Sequence, residues 1–333
     1  MEKQIKERYN DVILHEAMSR YGIAPDRIQL LDGFESFIYE FQRDGNQYIL
    51  RIGHSRRRSP SLIFGEVDWI NYLADGGATV AAAVTSDKGA LVELIEDGYD
   101  GHFLATAFVK APGRPPWEVG WSHELYERYG RLLGRMHALS RRYQLADAAW
   151  TRPQWDDHIM LDVEDLLPES ETLVVERFRS LMKHLGALPK HNNSYGLIHF
   201  DAHAGNMFVD DNLTITLFDF DDCNYSWYIN DIAIVLFYMA MGANNNPEFV
   251  ESFMFYFLRG YRQENRLDAH WLVEIPYFLK LREIDLYAII HRSFDVENLD
   301  DAWVASYMDG RKARIEAGVP YLDFDFNLLE KQL

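Results

Sequence analysis

Four polar side chains fall at fixed offsets: His199, Asp201 and Asn206 in Leu197-Ile-His-Phe-Asp-Ala-His-Ala-Gly-Asn206, and Asp219 in Leu217-Phe-Asp-Phe-Asp-Asp222. A short apolar, strand-like run separates the last two. Phosphoryl transfer from a nucleotide needs one carboxylate beside the attacking hydroxyl. It also needs a carboxylate and an amide oxygen for the hard cation that neutralises the phosphates. Asp201, Asp219 and Asn206 can supply those three parts, and little else in the chain is so dense in such groups.

The same stretch admits a second chemistry. His199-x-Asp201-x-His203 offers imidazole and carboxylate ligands that suit zinc or iron. Such a site needs more ligands, and His158, His184, His191, His270 and His291 are scattered. The sequence holds no G-x4-G-K-[ST] phosphate loop and no G-x-S-x-G nucleophile elbow.

Positioning these groups requires a frame, and the pattern supplies one. Tyr195–His199 and Met207–Val209 read as strands around the Asp201–Asn206 loop, and Asp210-Asp-Asn212 turns the chain into a partner strand at Thr214–Phe218 that ends at Asp219. The first third reads mainly as strands: Ser36–Glu40 and Gln47–Ile52 around an Arg43-Asp-Gly-Asn46 turn, then Ala90–Ile95 and His102–Val109. Between them Ile63, Val67, Ile70 and Leu73 give a helical period over Ser61–Leu73 that ends at Gly76-Gly77. Ala111-Pro-Gly-Arg-Pro-Pro116 breaks both periodicities and marks a boundary. Beyond it Ser122 can cap a helix with Leu125, Tyr129, Leu132, Leu133, Met136 and Leu139 on one face. Helical patterns dominate from Trp227 onward.

Composition sets limits. A chain of 333 residues with 48% hydrophobic side chains can bury a large core and suggests two domains. The net charge of -19 argues against a general nucleic-acid or anionic-membrane surface, and it tolerates cationic ligands. A single cysteine, Cys223, excludes an intrachain disulfide and suits a reducing compartment. The mixed-charge N-terminus has no signal-peptide core, and no apolar run is long enough to span a bilayer. The expectation is a cytoplasmic protein without nucleic-acid or membrane partners.

The spacing H-x-D-x4-N followed by a D-F-G-type aspartate resembles the protein-kinase-like superfamily. The form His-Phe-Asp-Ala-His-Ala-Gly-Asn with Phe-Asp-Phe-Asp-Asp looks more like its aminoglycoside phosphotransferase and choline kinase branch, over roughly Gly33 to Ala240. The resemblance implies a bilobal α+β fold. Residues 1–110 would form a small antiparallel-sheet lobe for the nucleotide, and residues 111–333 a larger, mainly helical catalytic and acceptor-binding lobe. It implies ATP and Mg2+, with Asp201 as base and Asn206 and Asp219 on the metal. Arg51 stands where a lysine usually meets the phosphates, Glu66 would orient it, and Ser36 in Asp32-Gly-Phe-Glu-Ser36 would cap a phosphate. The adenine would meet the backbone at Thr106–Lys110.

His199 would support the loop, His203 would either act directly or not, Asp221 would assist the metal or face solvent, and Asp231 would brace the loop. The implied reaction is transfer of the γ-phosphoryl group to a hydroxyl of a small molecule, with the acidic chain mildly favouring a cationic one. A Ser/Thr protein kinase of the same fold and a nucleotide-binding scaffold with little turnover are the alternatives. Asp156, Asp157, Glu283 and Asp285 read as solvated helix faces, with an acceptor pocket as the other possibility.

Overall fold

Six antiparallel strands form one sheet: β1 (Ile28–Leu31), β2 (Phe37–Arg43), β3 (Asn46–His54), β4 (Ala83–Val84), β5 (Val92–Glu96) and β6 (His102–Val109). Their order is β1-β2-β3-β6-β4, with β5 also on β6. The computed structural model describes residues 2–31, 33 and 35–333. Asp44 (φ 51°) and Gly45 (φ 80°) build the left-handed two-residue turn that suits right-twisted strands, so β2 returns directly as β3. Alternation along β3 sends Leu50 and Ile52 to one face and Arg51 to the other.

Leu50 and Ile52 belong to a core with Tyr39, Phe41, Phe103 and Ala105, closed by Ile5, Ile13, Ala17 and Met18. Those last four come from two helices, Lys3–Arg8 and Asp11–Arg20, that the sequence reading did not contain. The first third therefore carries these two helices as well as the expected strands. Both helices are too short and too polar to announce themselves by period, and packing on the sheet stabilises them. Asn10 caps the second by accepting from the Val12 and Ile13 amides. The helix Pro60–Asp75, capped by the Ser59 hydroxyl, lies where its period predicts and is longer by one residue before and two after.

The remainder is mainly helical, with main helices His123–Ser140, Thr172–Gly186, Tyr228–Gly242, Pro247–Tyr261 and Ile275–Ser293. The Ser122 hydroxyl accepts from the Leu125 amide, as expected. Two small sheets complete it. Strand β7 (Tyr195–Ile198) pairs with β10 (Asn224–Trp227), which the sequence reading lacked, and β8 (Met207–Val209) pairs with β9 (Ile215–Leu217) as the expected hairpin.

The chain forms two compact units. The first comprises residues up to Val119, Arg142–Arg152 and Met207–Asp221; the second comprises Gly120–Arg141, Pro153–Asn206 and Asp222–Leu333. Among the described residues no helix is long and apolar enough to cross a membrane.

Candidate active site

In the first unit, Arg51 leaves the sheet on the face opposite the N-terminal helices and meets Glu66 of the Pro60–Asp75 helix. The contact is a two-pronged ion pair, Nη1 to Oε1 at 2.8 Å and Nη2 to Oε2 at 2.7 Å, with both side chains buried. Fork-to-carboxylate pairing of this kind fixes both position and orientation. Burial disfavours the cation, but Glu66, Asp221 and Asp219 together hold the Arg51 guanidinium firmly protonated.

Asp219 is exposed and sits at φ 63°, just past β9. Left-handed backbone is strained for a side chain with a Cβ, though aspartate tolerates it better than most. Ser36 lines a recess together with Arg51 and Gly53. Asp32 and Phe34 of the expected phosphate-covering loop lie outside the described residues. Thr106–Val109 of the expected adenine-binding stretch form the end of β6, paired with β3 and β4. Asp221, weighed as a metal assistant or a solvated carboxylate, does not face solvent. It is buried, and Arg57 Nη1 reaches its Oδ2 at 2.5 Å, with Arg58 Nε at 3.5 Å and Arg51 Nη1 4.0 Å from Oδ1. Burial opposes its ionisation, yet the arginines keep its carboxyl well below the usual range.

In the second unit, the loop after β7 is tightly held. Phe200 has φ 67°, a costly value for an aromatic residue. The fully buried Asp231, in the first turn of the Tyr228–Gly242 helix, fixes it there. Its Oδ1 accepts from the Phe200 amide at 2.8 Å, and its Oδ2 accepts from the His199 amide at 3.0 Å and lies 3.1 Å from His137 Nε2. The Tyr129 hydroxyl donates to the Ala202 carbonyl. His199 is fully buried and its Nδ1 accepts from the Asp201 amide at 3.3 Å, a supporting contact. His203 Nδ1 accepts from the Gly205 amide at 2.9 Å. The Nδ1 atom of each of these histidines is thus engaged with the loop itself.

The Asp201 carboxylate is half-buried and multiply bonded. Arg282 Nη2 donates to Oδ1 at 2.5 Å, Asn206 Nδ2 donates to Oδ2 at 2.9 Å, and His203 Nε2 lies 3.3 Å from Oδ2. Burial works against the charge, but His203, Arg282 and His199 outweigh it and hold Asp201 well below the normal carboxylate range. Asn206 also donates to the Asp201 carbonyl at 3.0 Å. Both bonds use its amide nitrogen, which leaves the amide oxygen, a hard donor, for a cation.

Arg282 was absent from the sequence reading. Tyr238 accepts from its Nη2 at 2.7 Å, and Asp285 Oδ2 accepts from Nη1 at 3.1 Å. The one available signal was a charged group, Arg282-Glu283-x-Asp285, among the apolar residues in the middle of the Ile275–Ser293 helix. Glu283 and Asp285 are buried and therefore not solvated helix faces; Arg311 Nη1 pairs with Glu283 at 2.8 Å. Burial pushes the Asp285 carboxyl up to about 6, with Asp222 and Asp201 adding to it against the pull of Arg282. Asp156 is exposed and Asp157 partly so.

Known proteins share this arrangement of elements. The model of the APH family, described as Phosphotransferase enzyme family, matches residues 27–267. Amicoumacin kinase of Bacillus subtilis (strain 168) is 39% identical over 332 residues, 98% of each chain. A solved amicoumacin kinase, in complex with AMP-PNP, Ca2+ and Ami, is similar with a TM-score of 0.94 and 38% identity, over 99% of this chain and 100% of that one. The microcompartment-associated aminopropanol kinase is similar with a TM-score of 0.73 and 25% identity, over 92% and 97%.

Proposed function

The chain belongs to the phosphotransferase enzyme family, and from that premise we propose how its residues divide the work of an ATP-dependent small-molecule kinase. The fold is the protein-kinase-like α+β one of that family, an antiparallel sheet with a mainly helical remainder. Residues 1–110 serve the nucleotide, and residues 111–333 serve catalysis and the acceptor.

Asp201 receives the acceptor hydroxyl as a hydrogen-bond donor and aims its oxygen at the γ-phosphorus. The new oxygen–phosphorus bond forms as the bond to the ADP oxygen breaks, and the hydroxyl proton passes to Asp201. A carboxylate kept ionised this firmly is a weak base, so its main contribution is orientation, which suits a loose transition state. Arg51 holds nucleotide phosphates, Glu66 fixes the guanidinium, and Ser36 caps a phosphate oxygen. Asn206 and Asp219 would hold Mg2+, which when bound neutralises charge on the phosphates. Each offers an oxygen, one from an amide and one from a carboxylate, of the hard kind that Mg2+ takes.

For the acceptor we assign a hydroxyl of amicoumacin, on the strength of near-complete coverage at 39% identity. The net charge of -19 mildly favours an acceptor that also carries an ammonium group. The single cysteine, Cys223, is buried, and we assign the reaction to the cytoplasm.

The observation that carries this reading is the Asp201–Asn206 bond at 2.9 Å in a loop whose strained Phe200 is clamped by Asp231. A phosphotransfer assay over amicoumacin, amino alcohols, aminoglycosides, sugars and a protein substrate tests it. The expected result is ATP-dependent phosphorylation of amicoumacin that Asp201→Ala lowers by about a thousandfold or more. Asp201→Ala should keep its thermal shift with Mg-ATP, while Asp219→Ala should lose most of it. Transfer to the protein substrate alone, or no transfer to any acceptor, would refute the assignment.

A further inference from the structure

Three consecutive residues after β3, Arg56-Arg-Arg58, were not absorbed by the assignments above, and two of them converge on one carboxylate. A small recess in the first unit is lined by Ser36, Arg51, Gly53, Arg57, Arg58 and Asp221, among others. Within it Asp221 faces Arg57 at 2.5 Å, Arg58 at 3.5 Å and Arg51 at 4.0 Å. A fourth guanidinium, that of Arg152, grips the Asp221 backbone carbonyl at 2.6 Å and the Leu62 carbonyl at 2.8 Å, which fixes the segment behind it. Arg51 already spends its fork on Glu66, and Arg57 also lies 3.5 Å from Glu35.

A carboxylate brings one charge and about four acceptor positions. A diphosphate or triphosphate brings more of both, and guanidinium forks match phosphate oxygens as well as they match carboxylates. The recess adds a hydroxyl from Ser36 and a strand residue without a side chain, Gly53, where even a Cβ would sit only 3.4 Å from the Ser36 oxygen. The arrangement has the chemistry of a polyphosphate cradle with a resident anion.

We propose that Arg57 and Arg58 bind the terminal phosphates of the nucleotide and that Asp221 is a built-in stand-in for those phosphates, occupying the arginines until the nucleotide displaces it. This rests on the reading that Arg51 and Ser36 bind nucleotide phosphates. It gives Asp221 a role opposite to that of a metal ligand: its carboxylate competes with the nucleotide instead of recruiting it through the cation.

The test is calorimetric binding of ATP, ADP and adenosine to the full chain, in EDTA and with Mg2+. Arg57→Gln and Arg58→Gln should each weaken ATP and ADP about tenfold or more and leave adenosine unchanged. Asp221→Asn should tighten metal-free ATP and ADP severalfold. Retained adenosine binding and the melting curve report that each variant is folded, and Arg58→Lys, which keeps the charge, should lose less than Arg58→Gln. The inference is overturned if Asp221→Asn weakens metal-free ATP, or if the two glutamine variants bind ATP like wild type or lose adenosine in parallel. Wild type binding ATP no better than adenosine would instead sink the reading of Arg51 and Ser36, and this one with it. ATP outbinding adenosine with indifferent Arg57 and Arg58 variants would sink this one alone.

Discussion

A carboxylate that must meet a hydroxyl during phosphoryl transfer has to be ionised and aimed, and for Asp201 both conditions trace to Arg282. The guanidinium donates to Asp201 Oδ1 at 2.5 Å and is itself held by Tyr238 and Asp285. Replacing it with methionine keeps the stem and removes the fork, leaving Asp201 and Asp285 to repel each other. Arg282→Met is therefore expected to lower kcat about a hundredfold with the KM for ATP nearly unchanged. Arg282→Lys should recover only part, because one ammonium cannot reproduce planar contacts to three partners. An equal rise in KM for both substrates, or a loss fully explained by a smaller folded fraction, would refute this positioning role. Arg282 lies 81 residues from Asp201 and belongs to no motif, so only the folded chain brings it in. Asp201 and Asn206 were legible because one short loop keeps them at a fixed offset, whereas Asp231, 31 residues from Phe200 and in the Tyr228–Gly242 helix, was reached only through the family resemblance. Arg51 was reached through the resemblance of its strand to the lysine-bearing strand of the family, and Glu66 because the middle of the following helix offers few carboxylates.

Elements whose signals are local were also readable. The Ser122 cap and the apolar face of His123–Ser140 followed from side-chain chemistry and period, and every residue of that face is buried. What that face packs against was not readable. Gly130 lies against the Phe257 carbonyl, Gly260 against the Glu127 carbonyl, and Gly134 meets the Tyr261 carbonyl, so His123–Ser140 and Pro247–Tyr261 approach through their glycines. A Cβ at Gly130 would collide with backbone that cannot rotate away. Gly130→Ala gains about 1 kcal/mol of helix propensity, yet it should destabilise the protein by about 2 kcal/mol or more because the helices must separate. Urea unfolding checks the sign, and a variant as stable as wild type would show that the two helices pack less closely than this. The N-terminal helices and β10 escaped the sequence reading because tertiary packing, not their own pattern, makes them regular.

The chain passes between the two units five times, at 119/120, 141/142, 152/153, 206/207 and 221/222, so the break in periodicity at Ala111–Pro116 does not by itself mark off a stable piece. The first unit draws two later segments into its packing. The Leu217 amide donates to the Thr79 carbonyl at 3.1 Å, and the Ala81 amide donates to the Leu217 carbonyl at 2.8 Å. Phe64 stacks on Trp150 at 5.2 Å, and a Cβ on Gly65 would strike the Trp150 carbonyl. Trp69, fully buried, has Phe220 edge-on at 5.5 Å. A fragment of residues 1–110 lacks all of these partners and would expose that face of the Pro60–Asp75 helix. Trp69 is its only tryptophan and so reports the outcome directly. The fragment is expected to show red-shifted tryptophan emission and a shallow, poorly cooperative urea transition, where the whole chain keeps Trp69 buried until global unfolding. Blue-shifted emission with a sharp transition would mean that residues 1–110 close their own core, and that the later segments contribute to the site without contributing to the fold that carries it.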